Sequence, residues 1–130
     1  MQYAFLIYTN EKESAQHTPE QRAQRVQNNI DIIREAQAKG AFDAILRLQP
    51  TSASVTARRS VTGVAYRDGP FAETKEALGG FYLIDCKDEN DARYWADRLT
   101  KTGCSSCVEF CPVQDVMIED LQKSGMAVAS

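Results

Sequence analysis

The chain has 130 residues, enough for one domain whose core stands without disulfide staples. It is 43% hydrophobic and 25% charged, as globular chains are, and its net charge of -3 gives no electrostatic reason to approach a phosphate backbone. Nucleic acid is therefore not expected as a direct ligand, and the apolar run at residues 3–8 is too short for a signal peptide's apolar core or a membrane span, so a cytoplasmic protein without membrane attachment is expected.

Residues 2–8 are apolar on both alternating sets, Tyr3, Phe5 and Ile7 on one and Ala4, Leu6 and Tyr8 on the other. That pattern suits a central strand covered on both faces. Residues 10–17 read as a polar connection. Thr18-Pro19-Glu20-Gln21 then supplies an N-cap, a proline at the first helical position and a capping-box glutamine. The helix predicted from there runs to about Lys39, with Ala23, Val26, Ile30 and Ile33 as its apolar stripe and Gly40 as its stop. His17, the one histidine, stands just before the cap and is expected to be an exposed linker residue rather than a base.

Residues 42–49 predict a second strand, ended by Pro50. Residues 54–59 and 64–67 flank Ser60-Val61-Thr62-Gly63, a hairpin signal. Asp68-Gly69-Pro70 cannot continue a strand, so a loop follows to Glu76. The next strand, residues 79–86, puts Phe81, Leu83 and Asp85 on one face and Tyr82, Ile84 and Cys86 on the other. Asp88 or Asn90 can cap a second helix, whose stripe is Ala92, Trp95, Ala96 and Leu99 and which Gly103 follows. Residues 107–113 form the last strand. Beyond them, Met117, Ile118 and Leu121 at helical spacing predict a short helix in a tail, residues 114–130. The order describes an α+β sandwich, with helices on one face of a mostly antiparallel sheet. Strands apolar on both faces require a cover for the other face too.

Chemistry is concentrated in residues 68–76, where Asp68, Glu73, Lys75 and Glu76 crowd one loop beside a rigid turn. Carboxylates and an amine in proximity perturb one another's protonation, which suits proton transfer; equally, loop charges are often merely solvated. On the first reading Asp68 or Glu73 is the base and Lys75 stabilises an oxyanion, with Phe71, Glu76, Arg47 and Tyr8 as ligand contacts. The chain has no G-x-G-x-x-G, P-loop or G-x-S-x-G pattern, which removes nucleotide-dependent and serine-hydrolase classes.

Cys104, Cys107 and Cys111, followed by Pro112, match part of a bacterial ferredoxin run, but the preceding cysteine position holds Lys101. In a strand, residues four apart lie ~13 Å apart at ~3.3 Å per residue. Two thiolates on one zinc can be at most ~4.6 Å apart. No metal and no cofactor is expected, and the cysteines read as small hydrophobes.

Asp68-Gly69-Pro70-Phe71-Ala72-Glu73-Thr74-Lys75-Glu76, with Gly79-Gly80-Phe81, resembles the signature of the DGPF branch of the YCII-related proteins. The order of elements agrees with that family from about residue 2 to about residue 113, so residues 1–113 are taken as one YCII-related domain. The resemblance implies a ferredoxin-like sandwich that forms a dimeric α/β barrel, and hence a homodimer. Barrels of this kind include enzymes that abstract a proton, eliminate a leaving group or rearrange a small cyclic substrate, which implies a cofactor-independent lyase or isomerase acting on a small molecule. Genes of the family commonly stand beside those for extracytoplasmic-function sigma factors, which implies an alternative: a non-catalytic module binding a ligand or partner in a regulatory or stress pathway. The His-Asp pair suggested for the YCII branch has no counterpart in the predicted strands here. Arg67 stands where the family often has threonine, and Cys111 where an arginine often precedes the last-strand proline; Arg47, Arg58 and Arg67 are candidates to replace it.

Overall fold

A computed structural model describes residues 1–102, 107–114 and 116–127. In chain order the elements are β1 (Gln2–Thr9), α1 (Glu11–Ala15), α2 (Pro19–Ala38), β2 (Phe42–Arg47), one 3-10 turn (Thr51–Ala53), β3 (Val55–Ser60), β4 (Gly63–Asp68), β5 (Ala77–Asp85), α3 (Glu89–Leu99), β6 (Cys107–Pro112) and α4 (Val116–Lys123). β1 is paired on both edges, antiparallel to β5 and to β6, in a sheet ordered β2-β5-β1-β6. With α2 and α3 as the connections, this is a ferredoxin-like α+β arrangement.

One alternating set of β1 makes the core. Tyr3, Phe5 and Ile7 are buried with Tyr82 and Ile84 of β5, against Ile32 and Ala36 of α2 and Ala92, Trp95 and Leu99 of α3. Phe5 and its register partner Phe110 stack with ring centroids 5.8 Å apart. Each such side chain taken out of water contributes roughly 1.5–3 kcal/mol. The opposite set of β1 and β5 is only half-buried at Ala4, Leu6, Tyr8, Phe81 and Leu83, and their neighbours Cys107, Glu109 and Cys111 are exposed.

Local signals were accurate where side chains bond their own backbone. Thr18 and Gln21 form the capping box, and Asp88 caps α3 by accepting from the Asp91 amide at 2.8 Å. Several expectations need correction. Residues 10–17 are not plain connection: Asn10 accepts from the Glu13 amide at 3.1 Å and starts α1, too short to show a stripe. The buried positions of α2 are Arg25, Ile32 and Ala36; of the expected stripe, Ile33 is half-buried and packs against the core, Ile30 is half-buried, and Ala23 and Val26 are exposed. β2 ends at Arg47; β3 and β4 pair as the expected hairpin, but as a separate two-stranded ribbon outside the main sheet. The tail does form a helix, α4, with Leu121 half-buried. Gly103 and Cys104, and the side chains of Met117 and Ile118, lie outside the described residues.

The two long helices are joined through Glu35 of α2, which accepts from Arg98 and Tyr94 of α3 and from Lys39 at 3.1 Å. Desolvation pushes the Glu35 carboxyl up, but hydrogen bonds from Tyr94 and Lys39 and the charges of Arg98 and Lys39 outweigh it and hold the pKa below its ordinary value. A carboxyl whose folded pKa is depressed stabilises the fold above its unfolded pKa of about 4.3, and loses that contribution as pH falls through the folded value. Glu35→Gln should therefore cost roughly 1 kcal/mol in urea denaturation at neutral pH, the upper end for partly exposed pairs. The wild-type and variant curves should converge in acid.

Candidate functional site

α2 divides into two functional halves. Its second half places Ile32 and Ala36 in the core; its first half places Arg22, Arg25, Val26, Asn29 and Ile30 along one wall of a cleft of about 800 Å³. Ile7 and Thr9 of β1, residues 77–82 of β5 and residues 45–47 of β2 form the facing wall, and Glu11 and Ser14 of α1 close one end. The volume falls within the roughly 300–1,000 Å³ of small-molecule sites. Asn29 Oδ1 accepts from the Tyr82 hydroxyl, a polar strut between helix and sheet. Gly80 pairs with Ile7 on one side and Arg47 on the other, and a Cβ there would collide with the Leu46 carbonyl oxygen, so only glycine lets β2 come this close.

Electrostatically the cleft opposes the rest of the molecule. Among the described residues, three arginines, Arg22, Arg25 and Arg47, line it against a single carboxylate, Glu11. Glu11 is already engaged, accepting from the Thr51 hydroxyl at 2.6 Å and the Thr51 amide at 3.1 Å. Arg25 is only 8% exposed; its Nη1 lies 3.4 Å from Ser14 Oγ and 3.3 Å from His17 Nδ1, and its Nε is buried without a hydrogen-bond partner. Burial drives the Tyr82 phenol far above its ordinary pKa despite the nearby charge of Arg47, so this hydroxyl stays protonated and acts as a donor.

Of the residues singled out by the sequence, Arg47 lines the cleft. Asp68, Phe71, Glu73 and Lys75 are exposed and Glu76 is half-buried, and none of the five is in its wall; their segment enters the wall at Ala77. The turn itself is well held: Gly69, at φ +96°, donates to the Ser54 carbonyl at 2.7 Å and accepts from the Thr56 hydroxyl at 2.8 Å. Tyr8 stands on the other face of the sheet, donating to Glu109 Oε1 at 3.2 Å, and desolvation followed by that carboxylate raises its pKa. His17 is half-buried against Arg25 rather than exposed. Arg58 and Arg67 are exposed on the ribbon. Cys107 and Cys111 are exposed in an unbroken strand, and burial pushes the Cys86 thiol up to about 12. Among the described residues no three His, Cys, Asp or Glu side chains converge as a metal site.

The profile of the YCII-related domain matches residues 1–114. The chain belongs to the YCII-related family. It is similar to an uncharacterised protein of Rhizobium meliloti (strain 1021), with 36% identity over 107 residues, covering 82% of this chain and 86% of that protein. The whole cleft lies within the YCII-related domain. No helix among the described residues is long and apolar enough to cross a membrane.

Arg25 and Asn29 went unnoticed in the sequence because polar residues on an amphipathic helix read as its solvated face. A signal was available: they recur at four-residue spacing beside Val26 and Ile30, so one strip of helix carries both polar and apolar groups. If the Gly80 contact sets the shape of the cleft, Gly80→Ala should destabilise by about 1–3 kcal/mol, as overpacking does. Amide resonances of residues 45–47 should shift as β2 is displaced.

Proposed function

We propose that this protein binds a small molecule in the cleft between α2 and the sheet and acts on it as a cofactor-independent lyase or isomerase, with Asp68 or Glu73 as base and Lys75 stabilising a developing oxyanion. The cleft carries the reading: it is large, walled by apolar side chains and furnished with a few convergent polar groups. The acidic segment joins its wall at Ala77, so closure of residues 68–76 over the mouth, or the same segment of a second subunit, would bring the acids to the ligand.

A homodimer belongs to this reading. The sheet leaves Leu6, Phe81 and Leu83 half-exposed on one face, and the ribbon and following loop expose Val55, Tyr66 and Phe71 by 61%, 74% and 75%. So much apolar surface favours a second copy packed sheet to sheet, the dimeric α/β barrel that the Asp68-Gly69-Pro70-Phe71 signature implies. One observation favours the alternative of a non-catalytic ligand-binding module in a sigma-factor-linked pathway. The only carboxylate in the cleft wall among the described residues, Glu11, is tied to Thr51 and is not poised as a base.

Native mass spectrometry of gently purified protein should show a retained small molecule, and Ile30→Trp, which fills the cleft from α2, should exclude it. Retention by that variant would put the site elsewhere. Once the molecule is known, Glu73→Gln or Asp68→Asn should lower turnover ~10²- to 10⁴-fold without loss of binding. Binding without turnover in the wild type would establish the module instead. Sedimentation equilibrium at low micromolar concentration should give twice the 14.5 kDa chain mass. Leu83→Glu should shift the protein to monomers; a stable wild-type monomer would remove the barrel.

A further inference from the structure

We propose that the ligand of the cleft is a small carboxylate with an apolar body, gripped side-on by the guanidinium of Arg25; this rests on the cleft being the binding site. Arg25 is more than nine-tenths buried, yet no carboxylate among the described residues lies within ion-pair distance of it. A buried charge is costly unless an opposite charge compensates it, and a water molecule can satisfy an N–H but not a charge. The same uncompensated sign recurs at Arg22, whose Nη2 donates to the His17 carbonyl at 2.9 Å, and at Arg47 across the cleft. Neither forms an ion pair among the described residues.

Which oxyanion follows from the shape of the free side of Arg25. Nη1 is occupied by Ser14 and His17, while Nε has no partner and Nη2 makes no hydrogen bond among the described residues. Nε–H and Nη2–H are the two parallel donors that match the two oxygens of a carboxylate. Nε is itself covered, so engaging both donors requires a shift of the Arg25 side chain. Phosphate is disfavoured: the glycines of the wall, Gly79 and Gly80, lie within β5 and form no phosphate-cradling loop. Val26, Ile30, Ile45, Leu48 and Leu78 give the cleft apolar surface beside its polar groups, which suits a ligand with an apolar body.

Benzoate and its uncharged isostere benzamide test the assignment, with binding followed by NMR on the arginine Nε–H resonances. Benzoate should shift the Arg25 signal and bind at least about tenfold more tightly than benzamide, the contribution of hydrogen bonds to a charged group. Arg25→Gln should abolish the preference, and should Arg25→Gln not fold, Arg47→Gln, at an exposed strand position, should reduce it several-fold. Equal affinities for the two probes would overturn the carboxylate assignment while leaving the cleft as the site. Benzoate binding that leaves the Arg25 Nε–H signal unmoved, or no saturable benzoate binding, would overturn it as well. Benzoate bound undiminished to Ile30→Trp would instead overturn the cleft as the site, and the assignment with it.

Discussion

A strand hydrogen-bonded on both edges has to satisfy two layers at once, and β1 sets that requirement for the whole domain. Its Tyr3, Phe5 and Ile7 face the helices and are buried, and β5 repeats the choice opposite them with Tyr82 and Ile84. Because both crossover helices pack on this one face, the other face is left with Leu6, Phe81 and Leu83 in an intermediate state, neither core nor surface. The same pairing therefore produces the core and an unfinished second layer.

The cleft is a consequence of how α2 meets that core. In its second half Ile32 and the small Ala36 are almost fully buried, and the Glu35 links to Arg98 and Tyr94 fix this end to α3. In its first half the inward positions are taken by Arg25 and Asn29, whose polar ends need partners and cannot close onto aliphatic side chains. The Tyr82 to Asn29 hydrogen bond marks the boundary, with packed core on one side and open space on the other. Gly80, with no Cβ to collide with the Leu46 carbonyl, lets β2 lie close to β5. One helix thus acts as core element and as cleft wall, without any break in its hydrogen bonding.

Sequence pattern disclosed the parts of this design that are local or periodic. The faces of β1 and β5, the α3 stripe and both helix caps obey short-range rules, and the structure reproduces them. The site was much less legible. Density of charge drew attention to residues 68–76, but a local cluster of charges on a turn says nothing about what lies across from it. Arg25 carries meaning only through its depth, and depth depends on which part of α2 lies over Ile7 and Gly80, a tertiary fact. The apolar stripe read from Val26 and Ile30 was misassigned to the core for the same reason: those side chains face an opening rather than a packed layer, and periodicity cannot distinguish the two.

The distribution of charge carries one more step. The chain as a whole is acidic, at -3, whereas the cleft concentrates arginines against one engaged carboxylate. A cleft of one sign with low-dielectric walls focuses its field outward, so its local potential would favour a small anion even though the net charge of the chain is negative. Arg22 and Arg47 are exposed and Arg25 is buried, so the positive charges of the lining differ in depth. The exposed pair is cheap to keep in water and contributes mainly to encounter. On the proposed reading, the buried charge is costly unless an opposite charge compensates it, so its burial would translate into selectivity for an anion over a neutral molecule of the same shape.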